Sequence, residues 1–267
     1  MLVDTHVHVD LKADAQIELL LAQMQEHGVA KATLVRDSAS VDNSYLIACM
    51  RRYPGRFSVV CGVDIKSPGA LADLERWRSE GAGSLRLRNS SRSPGTDPLA
   101  IWSKAQALGM PVSVNGDTKT FASPEFAHIV ERLPNLKFIL EHAAGMGLSV
   151  IGQFSHSTGE VRPKPSAADF EGALKLAAYP NTYIKIGGMG ELCPPPFPYA
   201  AIPPYLRMIY DAFGPRRIMW ASDWPLVTHR EGYGNALSFT RDQLTFCDRE
   251  DLDWIFGGTA HSIWTFP

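Results

Sequence analysis

The chain has 267 residues, of which 45% are hydrophobic and 20% charged, and its formal net charge is −2. This composition is typical of a globular protein, and without a long basic run it argues against nucleic acid or an anionic membrane surface as a partner. No apolar run approaches the roughly 20 residues that cross a bilayer, and no signal-peptide pattern precedes Asp4. We expect a cytoplasmic protein that acts on a small molecule, in one domain over residues 1–267, and a homo-oligomer is compatible with the sequence.

Short apolar runs alternate with helical patterns along the chain, and eight of these runs are predicted to be strands. The predicted strands are Leu2–His8, Ala32–Arg36, Ser58–Val63, Ser84–Arg88, Pro111–Val114, Lys137–Glu141, Thr182–Ile186 and Arg217–Ala221. The predicted helices are Ala15–His27, Ser44–Arg52, Ala70–Glu80, Leu99–Leu108, Pro124–Arg132, Ala167–Ala178 and Tyr205–Phe213. Two helix starts combine a capping side chain with proline at the first helical position, at Asp97–Pro98 and Ser123–Pro124.

This alternation predicts an α/β fold of the (β/α)8 TIM-barrel type, in a single domain. The rival, a doubly wound open sheet, usually has fewer strands, and its nucleotide-binding forms carry a glycine-rich first turn that this chain lacks. Two long segments, Gly145–Pro165 and Gly187–Pro204, follow the sixth and seventh predicted strands. Because loops after strands lie at the carboxyl-terminal mouth of a barrel, both segments are expected to line an active site there.

Polar residues at three strand ends point to the chemistry. His6 and His8 stand two positions apart in the first predicted strand, so both imidazoles face one side and can grip one metal ion or polarise one carbonyl. The sixth predicted strand ends in His142 and the eighth in Asp223. Since the first and last strands of a closed barrel are neighbours, Asp223 is expected to face the two histidines across the mouth. Each residue alone could be a satisfied polar group or a helix cap, but their joint occurrence favours a site.

These motifs resemble the amidohydrolase superfamily, and more closely its amidohydrolase-related branch, which contains lactone hydrolases and metal-dependent decarboxylases. The resemblance rests on Asp4–His8, His142, Tyr179–Lys185, Ser222–Pro225 and Phe256–Ala260, so it spans nearly the whole chain. It implies the same barrel fold and a hydrolytic enzyme. The ordered set of motifs is specific for the family and not for a substrate.

The resemblance also implies a core site of His6, His8, His142 and Asp223. In metal-dependent members a further histidine ends the fifth strand, where this chain has Asn115. Asparagine is a poor zinc ligand, which argues against a tightly bound catalytic metal. In this respect the chain is similar to lactonase-like members such as 2-pyrone-4,6-dicarboxylate hydrolase and sugar-lactone hydrolases, some of which work without metal. If zinc or manganese is bound, its expected ligands are His6, His8 and Asp223.

Four further polar residues are expected to bind the substrate. They are Arg86, Arg88, Asn115 and Lys185. The two arginines share one face of the fourth strand, and guanidiniums at a barrel mouth suit a carboxylate, which they bind bidentately. Lys185, on the seventh strand, can bind an anion or the substrate carbonyl. For the arginines and the lysine, a structural ion pair is the alternative.

The leading hypothesis is hydrolysis of a lactone, or a similar cyclic ester, that bears a carboxylate. Asp223 would act as general base on water, and the histidines would polarise the carbonyl or hold a metal that activates the water. A second hypothesis, a metal-dependent decarboxylase of an aromatic or unsaturated acid, uses the same residues but needs the metal that Asn115 disfavours. A third is a barrel that binds a small acid without turnover, and the intact set of histidines and Asp223 counts against it.

Overall fold

The structure, a computed structural model, describes residues 1–11, 16–37, 41–147 and 166–267. Eight parallel strands, β1 to β8, form one sheet in which each strand pairs with the next in chain order. They are Leu2–Val7, Val29–Val35, Phe57–Cys61, Ser84–Arg88, Val112–Asn115, Phe138–Leu140, Thr182–Ile186 and Ile218–Trp220. The predicted barrel is confirmed, and every predicted strand overlaps an observed one.

The barrel closes between β8 and β1 through the backbone that follows β8. The amide of Asp223 donates to the carbonyl of His6 at 3.0 Å, and the amide of His8 donates to the carbonyl of Trp224 at 2.7 Å. Val7 and Trp224 also form a parallel bridge. The backbone of both histidines is therefore bonded directly to the segment that carries Asp223.

Helices follow most of the strands and cover the outside of the barrel. The helices α1 to α11 are Ile17–Glu26, Ser44–Arg52, Ala70–Glu80, Ala100–Ala107, Thr118–Phe121, Pro124–Arg132, Ala167–Leu174, Tyr205–Phe213, Tyr233–Gln243, Arg249–Asp253 and Thr259–Ile263. Four predicted helices, α2, α3, α6 and α8, agree residue for residue with the observed ones. The short α5 and the last three helices were not predicted from the sequence. Within the part of the chain that the structure describes, no helix combines the length and apolar character needed to cross a membrane.

The two predicted proline-led helix starts have different outcomes. Ser123 accepts a hydrogen bond from the amide of Phe126 at 3.2 Å, and proline follows it as the first residue of α6, as predicted. The prediction for Asp97–Pro98 is wrong, since α4 begins only at Ala100. The Asp97 carboxylate instead accepts from the amide of Leu99 in a preceding turn at 2.9 Å. An Asx turn satisfies the same side chain without starting a helix.

The Ser123 cap gives a first test of the fold. We expect Ser123→Ala to lower the free energy of unfolding by about 1 kcal/mol, because it leaves a helix N-terminal amide without its acceptor. Urea denaturation of the two proteins measures the difference. Ser79→Ala inside α3, where the hydroxyl donates to the carbonyl of Arg76, is the matched control and should cost less. Equal effects of the two changes would contradict the assignment of the cap.

An apolar plug fills the inside of the barrel beneath the strand ends that carry the polar residues. Its buried members are Val3, Ile139, Met219, Ala260 and Trp264. Ile139 precedes the buried Glu141 by two positions, so both side chains lie on the same, inward face of the strand. The Trp264 indole donates to Ser84 Oγ at 2.6 Å, which ties the chain's end to the barrel interior. The polar residues at the mouth therefore stand above a dry core.

Candidate active site

The structure brings the four predicted core residues together at the carboxyl ends of β1, β6 and β8. His6 and His8 have their Nε2 atoms 3.1 Å apart, and Asp223 Oδ1 lies 3.9 and 3.7 Å from these two nitrogens, respectively. The ring of His142 has its centroid 5.1 Å from that of His6. His6, His142 and Asp223 are buried, and the His8 side chain keeps 18% exposure. These four side chains are therefore close enough to contact the same few atoms of a substrate.

Two of these residues have strained backbones. Asp223 has φ of 61° and His142 has φ of 52°, and Ala143 and Ala144 continue the left-handed conformation. Such a conformation costs roughly 1–2 kcal/mol for each residue with a Cβ. Here it is held by hydrogen bonds, among them one from the Ala143 amide to the Lys185 carbonyl at 2.8 Å. Strain maintained in this way is typical of functional positions, where it aims a side chain that relaxed backbone would turn away.

Asp4 connects β1 to the chain that follows β8, beneath the histidines. Its Oδ1 accepts from the amide of Ser222 at 2.9 Å and from the amide of His6 at 3.2 Å. Its Oδ2 accepts from the hydroxyl of Tyr233 at 2.9 Å. Burial raises the pKa of Asp4 to about 6, although these hydrogen bonds oppose the change. Asp4 therefore positions the site and does not contact the space between the histidines and Asp223.

The hydrogen-bond partners of His8 define its tautomer. Its Nδ1 lies 2.9 Å from the carbonyl oxygen of Val35, which can only accept, so Nδ1 carries a proton. Burial, followed by the charge of Arg86, lowers the pKa of His8, which favours the neutral ring. A neutral His8 then presents the lone pair of Nε2 towards His6 and Asp223. This is the tautomer in which a histidine can ligate a metal through Nε2.

His6 has the opposite arrangement. The Nζ atom of Lys185 lies 3.3 Å from His6 Nδ1, and a lysine ammonium can donate but cannot accept. Neutral His6 therefore accepts at Nδ1 and carries its proton on Nε2, from which it donates to the lone pair of His8. Burial, together with the charge of Lys185, puts the pKa of His6 well below its usual range, so the ring is neutral. His6 can offer this N–H to a substrate oxygen that takes the place of His8 as the acceptor.

Lys185 belongs to a buried chain of polar groups behind His6. It donates to Ser113 Oγ at 3.1 Å, and the Ser113 hydroxyl donates to Glu141 at 2.6 Å. Arg86 makes three hydrogen bonds of 2.8 to 3.2 Å to the Glu141 carboxylate. Burial lowers the pKa of Lys185 to about 8. Burial would raise the pKa of Glu141, but the charges of Arg86, Lys185 and other neighbours lower it to about 2.

His142 and Asp223 are linked through two residues that the sequence analysis did not identify. Glu191, in the 3-10 turn Met189–Glu191, lies 3.2 Å from His142 Nδ1. Arg230 donates to Asp223 Oδ2 at 3.3 Å and has its Nη2 3.8 Å from Glu191. Burial favours a neutral His142, but the charge and hydrogen bond of Glu191 outweigh it and raise the pKa of His142. Arg230 therefore contacts both the Asp223 carboxylate and the Glu191 carboxylate that pairs with His142.

The arrangement fits a divalent metal. Asp223 Oδ1 is buried and has no hydrogen-bond partner, which leaves it available as a ligand. His6, His142 and Asp223 each offer an atom such that all lie within 4.8 Å of one another, and His8 already presents a lone pair. For His6 to ligate through Nε2, its proton must move to Nδ1, where Glu141 lies 3.7 Å away. Lys185 opposes that tautomer.

The effect of Lys185 on the tautomer of His6 can be tested through the affinity of the protein for zinc. We expect Lys185→Met to raise zinc affinity by about tenfold or more, since it removes a nearby positive charge and frees His6 Nδ1 to carry the proton. Competition with a chelating dye measures the affinity. Lys175→Met, at an exposed site, is the matched control and should leave the affinity unchanged. Weaker zinc binding by the Lys185 variant would contradict the assigned tautomer.

The predicted substrate-binding residues have different surroundings. Arg86, Arg88 and Asn115 line one cavity beside the core residues, on the β2 to β5 side of the mouth. Arg86 is paired with Glu141, so the structural ion pair that was its alternative is present. Arg88 is exposed in this cavity. Lys185 lies on the other side of the mouth, where it contacts His6.

The structure describes all of one of the two long segments predicted to line the mouth, and only the first three residues of the other. Gly187–Pro204 provides Gly187 and Glu191 to the small closed pocket around His142 and Asp223, as predicted. Most of Gly145–Pro165 lies outside the described residues, which end at residue 147 before this gap.

Three histidines and an aspartate at the carboxyl ends of the strands of a parallel eight-stranded barrel lie where TIM-barrel enzymes have their active sites. The family model described as Amidohydrolase matches residues 3–266, so the chain belongs to the amidohydrolase family. The resemblance seen in the sequence motifs is confirmed, and the chain is a hydrolytic enzyme.

Three relatives illustrate this placement. The chain is similar to L-fucono-1,5-lactonase of Burkholderia ambifaria, with 26% identity over 256 residues, 91% of this chain and 82% of the relative. It resembles an amidohydrolase from Burkholderia multivorans whose crystal structure has bound zinc, with a TM-score of 0.77, 19% identity and 98% of both chains covered. A putative 2-pyrone-4,6-dicarboxylic acid hydrolase from Pseudomonas putida has a TM-score of 0.73, 20% identity, and coverage of 98% of this chain and 96% of its own.

Proposed function

We propose that the protein hydrolyses a lactone, or a similar small cyclic ester, that bears a carboxylate. The observation that supports this most strongly is the unpartnered, buried Oδ1 of Asp223, which faces the Nε2 atoms of His6 and His8. A carboxylate with a free oxygen beside two neutral imidazoles is suited to bind a water and take its proton. The lactonase among the relatives is consistent with this chemistry.

In the proposed reaction, Asp223 Oδ1 removes a proton from water as the water oxygen attacks the lactone carbonyl. The carbonyl carbon becomes tetrahedral, and its oxygen becomes an oxyanion. The ring carbon–oxygen bond then breaks, and the leaving alkoxide takes the proton from Asp223. The product is one hydroxy acid, and Asp223 is again ionised.

The histidines stabilise the charge that develops on the carbonyl oxygen. His6 offers its Nε2–H, and His142 is the more basic ring because of Glu191, so it can hold a proton near the same oxygen. If zinc or manganese is present, His6, His8 and Asp223 would hold it, with His142 nearby, and it would supply Lewis acidity and a more acidic bound water. Without a metal, the histidine donors face the carbonyl oxygen and Asp223 faces the water oxygen.

Arg88 is proposed to anchor the substrate carboxylate, with Asn115 beside it. Arg86 contributes positive charge to the cavity, but its guanidinium is bonded to Glu141 and to the carbonyl of Arg36. Lys185 is proposed to affect the substrate indirectly, because its contact with His6 Nδ1 keeps the proton of His6 on Nε2. A dicarboxylic acid hydrolase among the solved structures is consistent with an anionic substrate.

Proton release from a panel of carboxylated and neutral lactones tests the proposal. Ring opening forms one acid for each turnover, so the purified protein should acidify a weakly buffered solution in the presence of at least one lactone. Release of carbon dioxide from aromatic or unsaturated acids, abolished by chelation, would instead favour the decarboxylase. Tight binding of a small acid without any turnover of either panel would favour the non-catalytic barrel.

A further inference from the structure

The cavity beside the site holds a second arginine, Arg36, to which the proposed role of Arg88 assigns no function. Its volume is about 330 Å³, and it lies between the ends of β2, β3, β4 and β5. Four cationic side chains and two acidic ones line it. They are Arg36, Lys66, Arg86 and Arg88, with Asp37 and Asp64. The whole chain has a net charge of −2, so the positive charge of this cavity is a local feature.

Arg36 is placed to connect this cavity to the catalytic residues. It directly follows Val35, whose carbonyl accepts from His8, and its own carbonyl accepts from Arg86 at 3.0 Å. Its amide donates to the carbonyl of Val60 at 2.9 Å, which fixes the backbone at the end of β2. A ligand at Arg36 therefore lies beside the strand that holds His8 in place.

The Arg36 guanidinium has unused donor capacity. Its Nε is buried and has no hydrogen-bond partner. An unpaired buried donor is unfavourable, and a ligand oxygen that accepts from it removes this penalty. The neighbouring donors of a guanidinium form a fork that matches a carboxylate.

Part of the wall is apolar. Val63, Ile65 and Leu87 line the same cavity, beside the polar side chains of Ser91 and Asn115, and Leu87 is 4% exposed. Covering these apolar side chains with hydrocarbon is favourable. The cations and the apolar side chains together fit a ligand that has both a carboxylate and a hydrocarbon part.

We propose that Arg36 is a second carboxylate-binding residue of the substrate cavity, and that the substrate is a lactone in which a hydrocarbon ring or chain carries the carboxylate. The inference builds on the proposed function for the reaction, but the binding of the acid can be measured without turnover.

Calorimetric titration with two small probes tests the subsite. We expect 3-phenylpropanoate to bind wild-type protein at least tenfold more tightly than its neutral amide does. Arg36→Gln should weaken the binding of 3-phenylpropanoate by about tenfold or more and leave the binding of the amide unchanged, because the variant loses a charge-assisted contact to the carboxylate. Arg132→Gln, on the exposed surface of α6, is the matched control. Equal binding of acid and amide by the wild type, or wild-type affinity in Arg36→Gln, would overturn the proposal.

A kinetic comparison separates this inference from the proposed function. The substrates are 3,4-dihydrocoumarin and a derivative with a carboxylate on its aromatic ring. We expect a higher kcat/KM for the acid, and Arg36→Gln should raise its KM while changing kcat less than twofold. If both compounds are opened with equal kcat/KM, carboxylate binding by Arg36 is refuted, whereas the proposed lactone hydrolysis stands. If 3-phenylpropanoate binds in an Arg36-dependent way but no lactone is opened, the proposed lactone hydrolysis is refuted, whereas carboxylate binding by Arg36 stands.

Discussion

Asp223→Asn is expected to lower kcat for lactone hydrolysis by about 10³-fold, because an amide oxygen cannot take a proton from water at neutral pH. The amide keeps the shape of the carboxylate and can still accept from Arg230, so the backbone around residue 223 should persist. KM should change much less than kcat, since Asp223 acts on the water and not on the substrate carboxylate. Initial rates of proton release on the best lactone measure both constants.

Asp211→Asn is the matched control for this change. It makes the same chemical substitution at an exposed carboxylate, which pairs with Arg207 on α8. Its rate constants should equal those of the wild type within twofold. Full activity in Asp223→Asn would remove Asp223 from the reaction, and the proposed mechanism would be wrong.

Glu141→Leu is expected to lower the free energy of unfolding by about 3–5 kcal/mol, the largest stability effect that the structure indicates. Glu141 is fully buried, and its removal leaves the buried charges of Arg86 and Lys185 without their common partner. Chemical denaturation measures the loss. If the leucine variant does not fold, Glu141→Gln can replace it, because it keeps the shape of the side chain and removes the charge. It should still lower the free energy of unfolding by more than the loss of an exposed ion pair does.

The matched control is Glu250→Leu, whose partner Arg216 lies 3.0 Å away on the surface. An exposed pair is worth about 0–1 kcal/mol, so the control should cost far less than the buried change. The pKa of Glu141 is lowered from 4.5 to about 2, so its contribution to stability is complete above pH 4.5 and is lost as the pH falls towards 2. The difference between wild type and Glu141→Leu should therefore narrow in acid. An equal difference at pH 7 and pH 3 would contradict this assignment.

The fold was largely predictable because apolar periodicity in a parallel barrel is strong. Strands buried on both faces appear as short apolar runs, and four helices could be bounded to the residue from their patterns. The helix Tyr233–Gln243 was missed because glycine and asparagine stand in its first turn, where intrinsic helix propensity is low. Tertiary contacts decide such segments, among them the bond from Tyr233 to Asp4.

The candidate site was predictable only where strand geometry determines it. His6, His8, His142 and Asp223 follow from strand ends, because closure of a barrel brings those ends to one mouth. Glu191 and Arg230 lie in turns whose paths depend on the whole fold, and no local pattern in the sequence marks them.

The Glu141 ion pair illustrates a signal that was present in the sequence but incomplete. Glu141 is a charged residue at the end of an apolar strand, directly before His142, which is typical of a buried polar role, although the sequence analysis assigned it none. Its partner Arg86 lies on β4, two strands away from β6, and the sequence alone does not identify which cation it meets. Arg86 was therefore interpreted as a substrate ligand, whereas most of its donors are bonded within the protein.

The measurement that tests the central claim most directly is a single turnover of a lactone by excess enzyme in ¹⁸O-labelled water. If Asp223 acts as general base, the hydroxy acid product carries one solvent oxygen in its new carboxylate, and the enzyme gains no label. If the label instead appears in Asp223 and the product contains only unlabelled oxygen, Asp223 is a nucleophile, and the account of water activation at this site is wrong.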